Sequence, residues 1–260
     1  MVSNTSLIED DFLLLNADDE MLMNNHPKTK ANVFYFSIKK KVRGCYIKRG
    51  CIYFNDNQTE TKLTSLAGIK LLGEHNLSNI LCAALAVFLQ TKNKEYLKNL
   101  KTFQGVNHRI EFVKTIEGVS FYNDSKATNI NSTLVALKSF SSGVNLILGG
   151  SDKGYSFDEL FKGLTKNVKF IAICGETQNK IVDSANKEGF KNYQVCKSLK
   201  EATKQYFKFA KTGDVVLLSP ACASFDSFSN YKERGFCFKQ IVMEIENESA
   251  LFKNHKAKQD

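Results

Sequence analysis

The 260-residue chain contains no apolar run approaching the roughly 20 residues that a membrane-spanning helix needs. Its longest, ILCAALAVFL at 80–89, is about half that length. The N-terminal MVSNTSLIEDDF has no basic patch followed by an apolar block, so no secretory signal is expected, and the two absences together predict a cytoplasmic protein. There is no C-x-x-C pair and no Cys/His cluster at zinc spacing. The seven cysteines, an odd number, therefore predict neither a disulfide framework nor a metal site. Most lie inside apolar runs, as Cys82, Cys174 and Cys222 do, and read as buried or half-buried thiols of a reducing compartment. A G-x-S-x-G elbow is also missing, as is a nucleophile with a partner histidine.

Acidic residues are the scarcer charge, 27 Asp and Glu against 36 Lys and Arg, for a net +9. The lysines are scattered and no aromatic–basic binding motif accompanies them, so nucleic acid is not the expected partner; a steep salt dependence on DNA would reveal it. Much of the excess reads as a solvated surface, and small anions fit the remainder. With 43% hydrophobic and 24% charged residues, the chain is globular and long enough for one large domain or two ordinary ones.

The pattern changes character partway along. FLLLN (12–16), VFYFS (33–37) and GIKLL (68–72) read as strands, and GCYIKRGCIYF (44–54) as a hairpin turning at Gly50. A helix opens at GEHNLSN, with Ile80, Leu81, Ala84, Leu85 and Phe88 at helical spacing. A short polar helix and a glycine turn then predict a domain boundary near residue 107. Beyond it a hairpin turns at Glu117–Gly118, and strands alternate with helices over 130–140, 156–164, 176–187, 199–210 and 227–246. That rhythm predicts an α/β fold, a mostly parallel sheet with helices on both faces. SFDE at 156–159 predicts a capping box, and 249–260 a polar, frayed tail.

Open parallel sheets bind ligands in the loops that leave the carboxyl ends of their strands. Four such loops follow here: NDSKATN, GGSDKGY, CGETQNK and SPACASFDSFSNY. Turn and cap requirements account for Gly149, Gly150, Asn129, Gly175 and Pro220. They leave unexplained Asp124 with Lys126, Asp152 with Lys153, and Ser219, Ser224 and Asp226. Converging on one edge, these residues make a surface for a polyanionic ligand, with Arg109 placed as a phosphate clamp beside the boundary. His108 reads as a hinge residue more readily than as a ligand contact.

In this order NDSKATNINST, LILGGSDKG and VLLSPACASFDSFSNYKERG resemble the muramyl ligase family, and within it the members that add D-glutamate. GEHNLSN resembles a helix start shared by all muramyl ligases and by folylpolyglutamate synthetases, but a folylpolyglutamate synthetase would not be expected to carry SPACASFD. The resemblance covers essentially the whole chain. It implies a Rossmann-like C-terminal domain over 107–248, preceded over 1–106 by a partial central ATP-binding domain. It also implies an ATP-dependent, Mg2+-requiring ligase that joins D-glutamate to UDP-N-acetylmuramoyl-L-alanine through an acyl phosphate, in building the cell wall. By resemblance Asn76 and Asn79 lie near the adenine and Asp124 holds the ribose. Arg109 and Lys126 face the phosphates as the catalytic pair. Thr128, Lys153, Ser224 and Tyr231 hold D-glutamate, although family members often carry phenylalanine at the position of Tyr231.

The resemblance also implies parts that the 260 residues lack. There is no G-x-x-G-K-[ST] phosphate loop, UDP-sugar domain or magnesium-binding acid, and the modified lysine expected just before LLLNADDE is missing. The expectation is of a chain that begins inside the second of three domains, is inactive alone, and exposes a sheet edge there. A non-catalytic D-glutamate and nucleotide binding half of a split enzyme, completed by a separate N-terminal chain, is the alternative.

Overall fold

A computed structural model describes residues 8–26 and 28–256. The chain divides into two compact units, one ending at Gln104 and the other beginning at Gly105. The first contains β1 (Phe12–Asn16), α1 (Glu20–Asn24), β2 (Asn32–Ser37), β3 (Gly44–Lys48), β4 (Cys51–Asn55), β5 (Glu60–Ser65) and α2 (Glu74–Thr91). Its sheet runs β1-β2-β3-β4-β5, parallel as far as β3 and antiparallel beyond. The β3–β4 hairpin turns on Arg49 and Gly50, both at positive φ as a two-residue turn demands. Ile80, Leu81, Ala84, Leu85 and Leu89 of α2 pack on Phe34, Phe36, Ile52 and Phe54 of the sheet. β1 is an edge strand, and no described strand pairs with its outer side.

One expectation fails in this unit. The stretch 68–72 is not a strand; the fifth strand is the more polar Glu60–Ser65. Gly68 turns the backbone at φ 85, and the Asn76 side-chain amide donates to the Leu72 carbonyl at 2.7 Å. Ile69 and Leu71 reach the core from a connecting loop, so apolarity without alternation misled. The polar helix after α2 is a 3₁₀ segment, Lys94–Lys101.

The second unit contains β6 (Glu111–Ile116), β7 (Val119–Asn123), α3 (Ile130–Leu137), β8 (Val144–Leu148), α4 (Asp158–Lys162), β9 (Val168–Ile173), α5 (Gln178–Lys187), β10 (Tyr193–Val195), α6 (Leu199–Phe209), β11 (Val215–Leu218) and α7 (Tyr231–Lys256). The strand order is β10-β9-β8-β11-β7-β6, with only the β6–β7 pair antiparallel. Every residue of β8 and β11 is buried, as central strands covered on both faces require. Side chains alternate between two cores. Leu146, Leu148, Val215 and Leu217 join the core beneath α3, α4 and α5, whereas Ile147, Val216 and Leu218 join that beneath α6 and α7.

The predicted capping box at 156–159 does not form. Phe157 occupies the cap position of α4, and Ser156 Oγ accepts only from the Asp158 N–H, at 3.1 Å. The Asp158 carboxylate is taken by Lys187. The last helix reaches Lys256, through most of the predicted tail; residues 257–260 lie outside the described residues. No described helix is long and apolar enough to cross a membrane.

Gly149 ends β8 at φ 115, where a Cβ would stand 1.8 Å from the Cys174 carbonyl oxygen. Gly154, at φ 80, has open space in the same direction. Gly149→Ala should therefore cost about 2–4 kcal/mol, combining strain with a backbone clash. Gly154→Ala should cost about 1 kcal/mol, from strain alone. Urea midpoints of the two variants measure the difference; equal shifts would contradict the clash.

Candidate functional site

Because β9, β8, β11 and β7 are adjacent and parallel, their four carboxyl-end loops lie side by side. Backbone and side chains stitch them together. Asp124 N donates to the Leu218 carbonyl at 2.7 Å, and Gly149 N to the Pro220 carbonyl at 2.9 Å. Ser151 N donates to the Ala223 carbonyl at 3.0 Å. Asp226 receives Glu176 N at 3.2 Å, while its own N–H reaches Ser151 Oγ at 2.7 Å. The 123–129 loop ends in a cap: Asn129 Oδ1 accepts from Ser132 N at 2.9 Å and starts α3. The 219–230 loop ends likewise, with Asn230 Oδ1 accepting from the N–H groups of Lys232 and Glu233.

Beneath these loops lies Arg234, a residue the sequence reading did not single out. It is 3% exposed. Its Nε donates to Ser125 Oγ at 3.0 Å and one terminal nitrogen to the Ala223 carbonyl at 2.9 Å. The other donates to the carbonyls of Ser125 and Cys222, at 2.9 and 3.0 Å. One planar fork thus fixes two loops against α7. Burial lowers its pKa to about 10. One signal was available: a cation in the first turn of a helix opposes the helix dipole and calls for a specific partner.

Asp124 is 4% exposed, and both carboxylate oxygens are engaged. Oδ1 accepts from Ile110 N at 3.1 Å and Oδ2 from the Ser219 hydroxyl at 2.8 Å. Burial pushes its pKa up to about 7, against the pull of Ser219, Ile110 and the Arg109 charge. Its ordinary unfolded value is about 3.9. Between about pH 4 and pH 7 the folded chain holds this proton and the unfolded chain does not. The stability it contributes, about 3–4 kcal/mol at most, is complete below about pH 4 and lost as pH rises through 7. Asp124→Asn should flatten that part of the curve in urea unfolding at stepped pH; an unchanged slope would contradict the assignment.

His108 is buried at φ 65, its ring edge-on to Phe236 at 5.0 Å and Tyr231 at 6.1 Å. Its Nδ1 lies 3.0 Å from Asn123 Nδ2, and its carbonyl accepts from Lys126 N at 3.0 Å. Burial lowers its pKa, which favours the neutral ring. A Cβ on Gly235 would meet that ring at 2.2 Å, which accounts for glycine inside α7. Arg109 beside it is exposed.

The remaining residues divide between the units. Lys153 Nζ donates to the Thr128 carbonyl at 2.8 Å, which brings the β7 and β8 loops together. Lys126 Nζ stands 5.9 Å from the centre of the Tyr231 ring, and the Ser125 hydroxyl donates to the Tyr231 carbonyl at 2.7 Å. Ser224, 2% exposed, follows Ala223, the residue bridged to Ser151. Thr128, Lys153, Ser224, Tyr231, Lys126 and Asp124 therefore belong to one cross-bonded edge of the second unit. Asn76 and Asn79 lie three residues apart on α2 of the first unit, Asn79 exposed and Asn76 bonded to Leu72. Among the described residues no group of three or more His, Cys, Asp or Glu side chains forms a metal site.

Such a sheet, with ligand-type loops at its carboxyl edge, matches the Mur ligase glutamate ligase domain over residues 108–222. The Mur ligase middle domain matches over residues 5–87. The chain belongs to the Mur ligase family. It is similar in fold to part of the MurF ligase from Thermotoga maritima solved with ADP: the TM-score is 0.59 at 16% identity, covering 91% of this chain and 55% of that one.

Among curated proteins, the UDP-N-acetylmuramoylalanine–D-glutamate ligase of Thermoanaerobacter sp. is 43% identical, over 91% of this chain and 53% of the relative. The ligase of the same name from Clostridioides difficile is 40% identical, over 90% of this chain and 52% of its own length. The chain thus spans about half the length of the curated relatives it matches.

Proposed function

We propose that this chain is the nucleotide- and D-glutamate-contacting part of an ATP-dependent ligase that joins D-glutamate to UDP-N-acetylmuramoyl-L-alanine. The observation that carries the reading is the cross-bonded edge, where Lys153 is tied to Thr128 and Lys126 is set beside Tyr231. In this reading Lys153 pairs with a carboxylate of D-glutamate, while Thr128, Ser224 and Tyr231 fix its orientation. Lys126 and Arg109 spread positive charge over the phosphates of ATP, Asp124 takes a ribose hydroxyl, and Asn76 and Asn79 face the adenine. The substrate carboxylate attacks the γ-phosphorus, ADP leaves, and an acyl phosphate results. The amino group of D-glutamate then attacks the acyl carbon, phosphate departs with the bonding pair, and the amine proton is released. Preorganised lysines lower the barrier by meeting charge as it develops, an effect worth about 10²–10³ in rate for one well-placed donor.

Mg2+ fits no cluster among the described residues, and no step is assigned to it. The 260 residues also hold no G-x-x-G-K-[ST] loop, the usual cradle for a triphosphate. In our reading the chain does not turn over by itself and becomes active with a polypeptide that carries such a loop. A coupled assay of D-glutamate-dependent phosphate release tests this, with complementation expected to restore activity. If complementation restores D-glutamate binding but no phosphate release, the second reading holds: a non-catalytic binding half.

A further inference from the structure

A cavity of about 210 Å³ lies in the second unit beside the carboxyl ends of β9, β8 and β11, on the side covered by α6 and α7. The β8 loop leads to α4 on one face and the β11 loop to α7 on the other. Connections that leave adjacent strands for opposite faces are where open parallel sheets form ligand crevices. Thr128, Lys153, Ser224 and Tyr231 do not line this cavity.

Its floor is apolar, built from Ile147, Leu199, Leu218 and Phe228. Its polar wall is basic, with Lys197, Lys200 and the buried Arg234. All four hydrogen bonds of Arg234 go to neutral acceptors, three carbonyls and a hydroxyl. Among the described residues no carboxylate forms an ion pair with it. Lys200 is paired with Glu244 at 2.8 Å. The acid on the lining, Asp226, accepts from Glu176 N and the Ser151 hydroxyl, at 3.2 and 3.5 Å. The Asp226 charge acts on Arg234 without a hydrogen bond or ion pair between them, so burial of the cation stays costly and an anion entering the cavity would offset more of it.

We propose that this cavity is a second ligand site, which takes a small carboxylate with an apolar body and is separate from the loops assigned to D-glutamate. A void of about 150 Å³ accommodates benzene, so the space here suits one ring with a short acidic arm. Arg234 and Asp226 face the cavity and also hold the 123–129, 149–155 and 219–230 loops. Occupancy therefore stiffens the candidate site from behind.

Calorimetric titration of the full chain with phenylacetate, phenethylamine and toluene tests the proposal. Phenylacetate should bind saturably at one site, at least about tenfold more tightly than the cation or the neutral ring, a difference of one ion pair or less. Lys197→Glu should weaken it about tenfold. Ser227→Phe should fill the cavity and abolish binding, and Cys237→Met gives a milder filling should the first variant fail to fold. Lys153→Ala should leave the titration unchanged, so the result stands apart from the ligase reading. No saturable phenylacetate binding, equal binding of the three probes, binding that survives both filled cavities, or loss of binding in Lys153→Ala would each overturn it.

Discussion

Arg234→Leu should destabilise the second unit by about 2–4 kcal/mol, a large share of what a domain of this size has in reserve. Leucine retains the apolar volume and removes every donor. The carbonyls of Ser125 and Cys222 would then lie buried without partners, each costing about 1–3 kcal/mol, while that of Ala223 would keep its bond from the Ser151 N–H. Relief of the buried charge returns part of this, which is why the sum is not larger. Arg234→Lys restores the charge and not the fork. Its three donors radiate from one point, so it should serve only one loop and recover less than half the loss. Urea unfolding gives the magnitude and amide exchange the location: protection should fall first at 123–129 and 219–224. A loss below about 1 kcal/mol for the leucine variant would mean that the loops are held by something else.

Lys153→Ala should do the opposite, leaving stability within about 0.5 kcal/mol and removing function. The side chain is exposed, and its one hydrogen bond is to the Thr128 carbonyl, which water can serve equally well. With the lysine gone, a substrate carboxylate loses its charge partner. In the complemented enzyme, D-glutamate-dependent phosphate release should fall about 10²–10³-fold, with most of the loss in kcat/KM for D-glutamate. A comparable loss in apparent affinity for ATP would instead assign Lys153 to the nucleotide.

The second unit was largely legible in the sequence because its helices and strands obey their own periods and its loops carry the polar residues. The hairpin at Glu117–Gly118, the alternation through β11 and the four loops all follow from local rules. What local rules did not reach was cross-chain bonding. Arg234 matters through Ser125, 109 positions earlier, and Gly235 through the ring of His108. The first unit read less well because GIKLL is apolar without being a strand, whereas ETKLTS pairs as one while burying only Leu63. Asp124 was legible as a polar residue that turn and cap requirements do not explain, but its double engagement by Ile110 and Ser219 was not.

The most direct test is D-glutamate-dependent phosphate release, measured for the chain alone and with a polypeptide supplying the phosphate loop and the UDP-sugar domain. The account predicts no turnover alone, turnover on complementation with D-glutamate but not L-glutamate, and its loss in Lys153→Ala. Robust turnover by the chain alone, or equal use of the two enantiomers on complementation, would contradict it.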